Sequence, residues 1–127
     1  MTRIFVYGTL RQGDIRHDVL TRATRVGDLW NVEGTLFMLP GFPALTLKPE
    51  MSVVGEVYEI PDEREEEVME RLDAIEGVAF GLYERAEVTA TNGETQVECV
   101  TYVAGPRMDV TQYKTIPTGD WFNPNIK

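Results

Sequence analysis

The stretch Phe5-Val6-Tyr7-Gly8-Thr9-Leu10-Arg11-Gln12-Gly13 decides how this chain folds. A short apolar strand runs into a glycine that stands between a tyrosine and a hydroxyl residue. Glycine tolerates backbone angles and close approaches that a Cβ forbids, so the amides that follow can converge on a carboxylate or a phosphate. A strand that merely turns at Tyr7-Gly8 has the same sequence, and at this point the two readings stand side by side.

Outward from this stretch, the apolar pattern predicts a first strand from Thr2 to Tyr7. The polar run after Gly13 predicts a short helix from near Asp14, with Ile15, Val19 and Leu20 as its apolar contacts. Two further strand segments fall between Arg25 and Leu39. Pro40-Gly41-Phe42-Pro43 then interrupts regular structure, because two prolines and a glycine in four positions remove donors and fix φ. It is either a ligand-side loop or a plain connector. Ser52 to Ile60 alternates as a strand with Val53 and Val57 on its core face, and Pro61-Asp62 ends it.

Asp62 is placed as an N-cap, with Glu65 three residues on in a capping-box pattern. Val68, Met69, Leu72 and Ile75 then form an apolar helical stripe. This helix should stop at about Glu76, since Gly77 can take the left-handed conformation that closes a helix. Strands return from Leu82 to Thr91 and from Glu94 to Val103, joined by the hairpin dipeptide Asn92-Gly93. The tail from Gly105 is irregular and carries Trp121 and Phe122, which are expected to pack down.

A length of 127 residues suits one compact domain, 1–127, with a core that needs no disulfide or metal. No apolar run is long enough to cross a bilayer, and Met1-Thr2-Arg3-Ile4-Phe5 enters the strand pattern without a signal-peptide h-region. A cytoplasmic protein is expected. Twenty-one acidic against twelve basic side chains give a formal charge of −9, with no basic patch, which argues against nucleic acid as a partner. Glu63, Glu65, Glu66, Glu67 and Glu70 have the spacing of a solvated helix face rather than a metal cage. The lone His17 has no second histidine or cysteine cluster beside it, so no zinc site is expected. Cys99 alternates with Val97 and Thr101 as a small buried residue and has nothing nearby to lower its pKa.

Among the acids, Glu76 carries the most information. It ends the clearest helix and precedes Gly77, Ala79, Phe80, Gly81, Leu82 and Tyr83, a largely apolar run. Partial desolvation and the negative end of the helix dipole both raise a carboxyl pKa, which suits a group that takes and returns a proton near neutral pH. A solvated glutamate at a helix end is the alternative at this point.

Taken together, Tyr7-Gly8-Thr9-Leu10, Gly55-Glu56-Val57-Tyr58, Leu72-Asp73 with Glu76, and Tyr83-Glu84-Arg85 resemble the gamma-glutamylcyclotransferase-like family in order and spacing, over nearly the whole chain. The likeness is to its small bacterial members and to gamma-glutamylamine cyclotransferase. It implies an α+β fold, a small mixed-strand β-barrel with a few flanking helices. It also implies that Tyr7, Gly8, Thr9 and Leu10 hold a glutamyl head group and that Glu76 is the general acid and base. Thr9 stands where many members have serine, which changes little if the backbone amides bind.

The implied reaction cyclises a gamma-glutamyl amine or peptide to 5-oxoproline and releases an amine, without metal, cofactor or nucleophilic side chain. Tyr83 is a further substrate contact or a core aromatic; Tyr58 and Tyr113 are weaker candidates. Arg85 pairs with an acidic group or is simply exposed, and the facing of Glu56 and Glu84 stays open. Pro40 to Pro43 and the tail near Trp121 are the expected pocket walls. A binding module for a carboxylate or amino acid on the same fold is the alternative to an enzyme. A third reading is an enzyme on the same scaffold that opens or trims a different amide, such as a modified metabolite bearing a gamma-glutamyl protecting group.

Overall fold

A computed structural model describes residues 1–14 and 16–124. Five strands close into a barrel: β1 (Thr2–Val6), β2 (Thr24–Leu39), β3 (Phe42–Ile60), β4 (Tyr83–Asn92) and β5 (Thr95–Ala104). Their order around the barrel is β1-β3-β2-β4-β5, with β1 antiparallel to β3 and parallel to β5, which closes the ring at Ile4 and Val100. One helix, α1 (Glu65–Ile75), lies outside it, together with short 3₁₀ turns. This is the small mixed barrel with helical flanks that the resemblance implied.

Alternation along β1 produces two cores. Phe5 and Tyr7 join Val32, Leu36, Leu45, Val53, Val57 and Ile116 in one cluster, which fills the barrel. Ile4 and Val6 point the other way and pack with Tyr58, Ile60, Val68, Met69 and Leu72 beneath α1. A strand with both faces buried explains why residues 4–7 form an uninterrupted apolar run. The acidic residues 65, 66, 67 and 70 of α1 are all exposed, as is Glu63 in the turn before it.

Several local expectations are corrected. The helix near Asp14 shrinks to a 3₁₀ turn at His17–Leu20, with Val19 and Leu20 buried as expected, while Ile15 lies outside the described residues. Turn bonds take its place: Arg11 N donates to Gly8 O at 3.0 Å, Asp14 N to Arg11 O at 2.9 Å and Arg16 N to Thr9 O at 2.9 Å. The two segments between Arg25 and Leu39 are one strand with register shifts at Val26/Trp30 and Gly34/Thr35.

Pro40-Gly41 alone make the break, and the next strand begins at Phe42 and continues through Ser52 to Ile60. Pro43 is tolerated within it because outside partners relieve the ladder. Met38 N donates to Lys114 O at 2.9 Å, and Pro43 O accepts from the Tyr83 hydroxyl at 2.6 Å. The β4–β5 ladder closes on Asn92 and Thr95, so the turn residues are Gly93-Glu94, one position later than expected.

Asp62 and Glu65 form no capping box, and α1 starts after a 3₁₀ turn at Asp62–Arg64. The incoming N-terminus competes for both carboxylates. The Met1 ammonium pairs with Asp62 at 2.7 Å, and the Thr2 hydroxyl donates to Glu65. Packing rather than capping therefore holds α1 in place. Leu72→Ala, at a fully buried position, is expected to cost about 2–5 kcal/mol in urea denaturation. Glu70→Ala on the solvated face should stay within about 0.5 kcal/mol.

Candidate functional site

Two chain reversals face each other at one end of the barrel. The first follows β1, where Gly8 passes so close to β3 that a Cβ would meet Pro43 Cγ at 2.6 Å. Close approach is thus the reason for glycine here. The second follows α1. Glu76 N donates to Leu72 O at 2.9 Å, and Gly77 closes the helix at φ 65°, as its sequence predicts. The chain then turns back through Leu82 N, which donates to Gly77 O at 3.2 Å.

Between these reversals lies a cavity of about 220 Å³. Tyr7, Gly8, Thr9, Leu10, Glu76 and Tyr83, all singled out from sequence, line it together. Phe42 and Pro43 supply part of the wall, as expected of that loop. Trp121 does not: its indole N–H donates to Asp14 at 3.0 Å, away from the cavity. Arg16, Ile75, Leu82, Tyr102 and Met108 were missed as lining residues. Tyr102 enters through the observed hairpin register, in which it faces Arg85, two residues beyond Tyr83. Arg16 is brought in by a loop whose path no sequence pattern marks.

Glu76 and Arg16 are the charged residues of the lining. Burial raises the Glu76 carboxyl to about 7, against a smaller downward pull from the Arg16 guanidinium. Burial also raises the phenols of Tyr7 and Tyr83, and the Glu76 charge adds to both, so each stays protonated. The Tyr7 hydroxyl donates to Tyr102 O at 2.7 Å and accepts from Leu45 N at 3.3 Å, so it ties β1 to β5 and β3. Tyr83 donates to Pro43 O and keeps oxygen lone pairs as acceptors. Among the described residues, no backbone carbonyl takes the amides of Gly8, Thr9 or Leu10.

Two polar clusters hold the walls. Behind the first reversal, Arg11 is 3% exposed and Glu56 2%, and Arg11 Nε meets Glu56 Oε2 at 3.0 Å. Gln12 N and the Tyr58 hydroxyl each donate to Glu56 Oε1 at 2.8 Å, and Arg11 Nη1 reaches Asp120 at 2.7 Å. Glu56 therefore faces inward, Glu84 is exposed, and Tyr58 serves this cluster instead of the cavity. Tyr113 is exposed on the tail.

Beside the second reversal, Arg85 grips Asp73 through Nε at 2.8 Å and Nη2 at 2.5 Å. The Tyr102 hydroxyl also donates to Asp73, at 2.6 Å. The Arg85 hydrogen bond holds the Asp73 carboxyl below its ordinary range.

His17 bonds the Leu10 carbonyl through Nδ1 at 3.0 Å and packs against the Tyr58 ring. Cys99 is inside the barrel, where burial pushes its thiol up to about 11. Among the described residues, no group of three or more His, Cys, Asp or Glu side chains is arranged to hold a metal, and no helix is long and apolar enough to cross a membrane.

The profile of the gamma-glutamyl cyclotransferase, AIG2-like family matches residues 4–123, and the chain belongs to this family. It is 34% identical over 93 residues to a gamma-L-glutamyl-butirosin B gamma-glutamyl cyclotransferase of Niallia circulans. That match covers 68% of this chain and 56% of the relative's length. An uncharacterized protein of Pyrococcus horikoshii superposes with a TM-score of 0.71 at 30% identity, over 95% of this chain and 90% of that one. A structure titled gamma-glutamyl cyclotransferase shares the fold at a TM-score of 0.63 and 18% identity, over 90% of this chain and 69% of that one.

The raised Glu76 carboxyl has a consequence for stability. Its native pKa of about 7 lies above the ordinary 4.5, so the native state binds more protons in that window. Stability linked to this group is therefore present at low pH and lost as pH rises from about 4.5 to about 7, by at most about 3 kcal/mol. Glu76→Gln should equal the unmodified protein in urea melts at pH 4 and exceed it at pH 8. A difference that does not change with pH would show that the carboxyl is not desolvated.

Proposed function

We propose that this protein is a gamma-glutamyl cyclotransferase that converts a gamma-glutamyl amide to 5-oxoproline and a free amine. The observation that carries this reading is the meeting, in one small cavity, of uncommitted loop amides at Gly8 to Leu10 and a carboxyl whose pKa is about 7. Family membership and the activity named for the Niallia circulans relative point the same way.

In this mechanism the amides of Gly8, Thr9 and Leu10 hold the substrate's α-carboxylate, and Tyr83 borders the glutamyl side chain. The substrate's α-amine, as free base, attacks its own γ-carbonyl carbon. As that C–N bond forms, the nitrogen becomes acidic and Glu76 takes its proton. Glu76 then returns the proton to the departing nitrogen as the original amide C–N bond breaks. No proton is consumed overall, and the ring of 5-oxoproline is complete. Holding the amine against the carbonyl makes attack intramolecular, and orientation of this kind can supply about 7–11 kcal/mol of the barrier. A carboxyl with a pKa near 7 exchanges protons in both directions without a large penalty.

The test is a panel of gamma-glutamyl dipeptides, gamma-glutamyl amines and glutathione, followed by mass detection of 5-oxoproline with and without EDTA. Turnover is expected for at least one member, unaffected by chelator, and its N-acetylated form should be inert because the nucleophile is blocked. On that substrate Glu76→Gln should lower kcat by about 10²–10⁴-fold, and the rise in kcat/KM through pH 7 should disappear. Near-normal turnover in Glu76→Gln would remove Glu76 from the chemistry. If nothing turns over while free glutamate or 5-oxoproline raises Tm, the protein is a binding module.

A further inference from the structure

The cavity has a closed end and an open one. Tyr7, Thr9 and Leu10 are buried, whereas Arg16 and Leu82 are exposed residues of the same lining. A gamma-glutamyl group whose α-carboxylate sits on the loop amides points its scissile amide outward, so the leaving amine passes Arg16. The Arg16 backbone is fixed there by its N–H, which donates to Thr9 O at 2.9 Å. Among the described residues, no hydrogen bond or ion pair occupies the guanidinium. Arg3, Arg11, Arg25, Arg64 and Arg85 meet carboxylates, and of the arginines that do not, Arg16 is the one that lines the cavity among the described residues.

We propose, building on the cyclotransferase reading, that Arg16 is a specificity-determining residue whose guanidinium binds a carboxylate carried by the leaving amine. The rest of the open end is apolar, with Phe42, Leu82 and Met108, and offers nothing else to an anion. The chain's formal charge of −9 opposes anionic substrates in general, which makes a single cation at the mouth selective. A planar guanidinium also matches a carboxylate with two parallel hydrogen bonds. Arg16 is therefore assigned to the far side of the scissile bond, and the loop amides to the near side.

Gamma-glutamylglycine and gamma-glutamylglycinamide test this, because they differ by one charge at nearly constant size. The acid should be favoured in kcat/KM by about tenfold, mainly through KM, and rising salt should shrink that preference. Arg16→Gln should bring the acid-to-amide ratio close to one, and Arg16→Lys should keep part of it. Loss of Arg16 also frees Glu76 from its downward pull. That change moves the pH profiles of both substrates together, and their ratio cancels it.

A ratio near one in the unmodified protein overturns the proposal. So does an equal rise in KM for both substrates in Arg16→Gln, which would place the α-carboxylate on Arg16. If neither compound turns over, the cyclotransferase reading fails on this pair, and calorimetric binding of the same two compounds decides the role of Arg16. Preference for the acid that vanishes in Arg16→Gln upholds it, and equal binding sinks it.

Discussion

The buried pair of Arg11 and Glu56 is the constraint on which the first half of the site depends. Taking both charges out of water costs several kcal/mol per ion, so the pair is not a source of stability in itself. Its effect is to make one loop path far better than any other. Glu56 accepts from Arg11, from the Gln12 amide and from Tyr58, so the chain after Gly8 must bring both Arg11 and Gln12 to one carboxylate on β3. A path that missed it would leave a buried charge without compensation, at about 3–5 kcal/mol. Asp120 and the Phe122 ring, 4.0 Å from the guanidinium, close the far side and recruit the C-terminal tail into the same cluster.

The second half of the site is fixed by a different cluster, and Tyr102 joins the two. Its hydroxyl reaches Asp73 on α1, while its carbonyl accepts the hydroxyl of Tyr7, the residue before Gly8. One residue of β5 thus relates the end of the first strand to the end of the helix. Pro43 plays a similar part from β3, packed against Gly8 on one side and bonded to Tyr83 on the other. The cavity is bounded by elements that are mutually braced rather than by a hanging loop. A proton carrier needs such bracing, because small errors in donor position cost much of its effect.

Periodicity and turn chemistry made individual strands and the helix legible where they agreed, whereas the barrel was implied by the family resemblance. The uninterrupted apolar run at residues 4–7, the stripe from Val68 to Ile75 and the stop at Gly77 all follow from local rules, and each is found in the structure. Local rules failed where a distant partner offered more. Asp62 and Glu65 have the form of a capping box, yet the Met1 ammonium and the Thr2 hydroxyl take their carboxylates. The expected helix after Gly13 gave way to tighter i→i−3 turns, in which His17 N donates to Asp14 O and Val19 N to Arg16 O. Glu56 was undecidable from strand alternation, since both faces of β3 are buried at that point. Arg16 left no mark in the sequence at all, because its place depends on a fold-back to Thr9.

The composition of the cavity follows from where the reactive groups are expected to come from. Under the cyclotransferase reading the substrate brings both its nucleophile and its electrophile, so the protein needs neither an activated thiol nor a serine. Cys99 can then be buried with a thiol pushed up to about 11, and His17 can be used to pin the Leu10 carbonyl. What remains under that reading is to keep water from the carboxyl proposed to move the proton. The aromatic and aliphatic wall of Phe42, Ile75, Tyr83 and Tyr102 supplies that, and the same desolvation lifts Glu76 to about 7. Native stability at neutral pH is lowered by the ionised form of this group, so the property that suits Glu76 to proton transfer is also a local defect in the fold. The braces from Asp73, Tyr102 and Pro43 are what allow the structure to carry it.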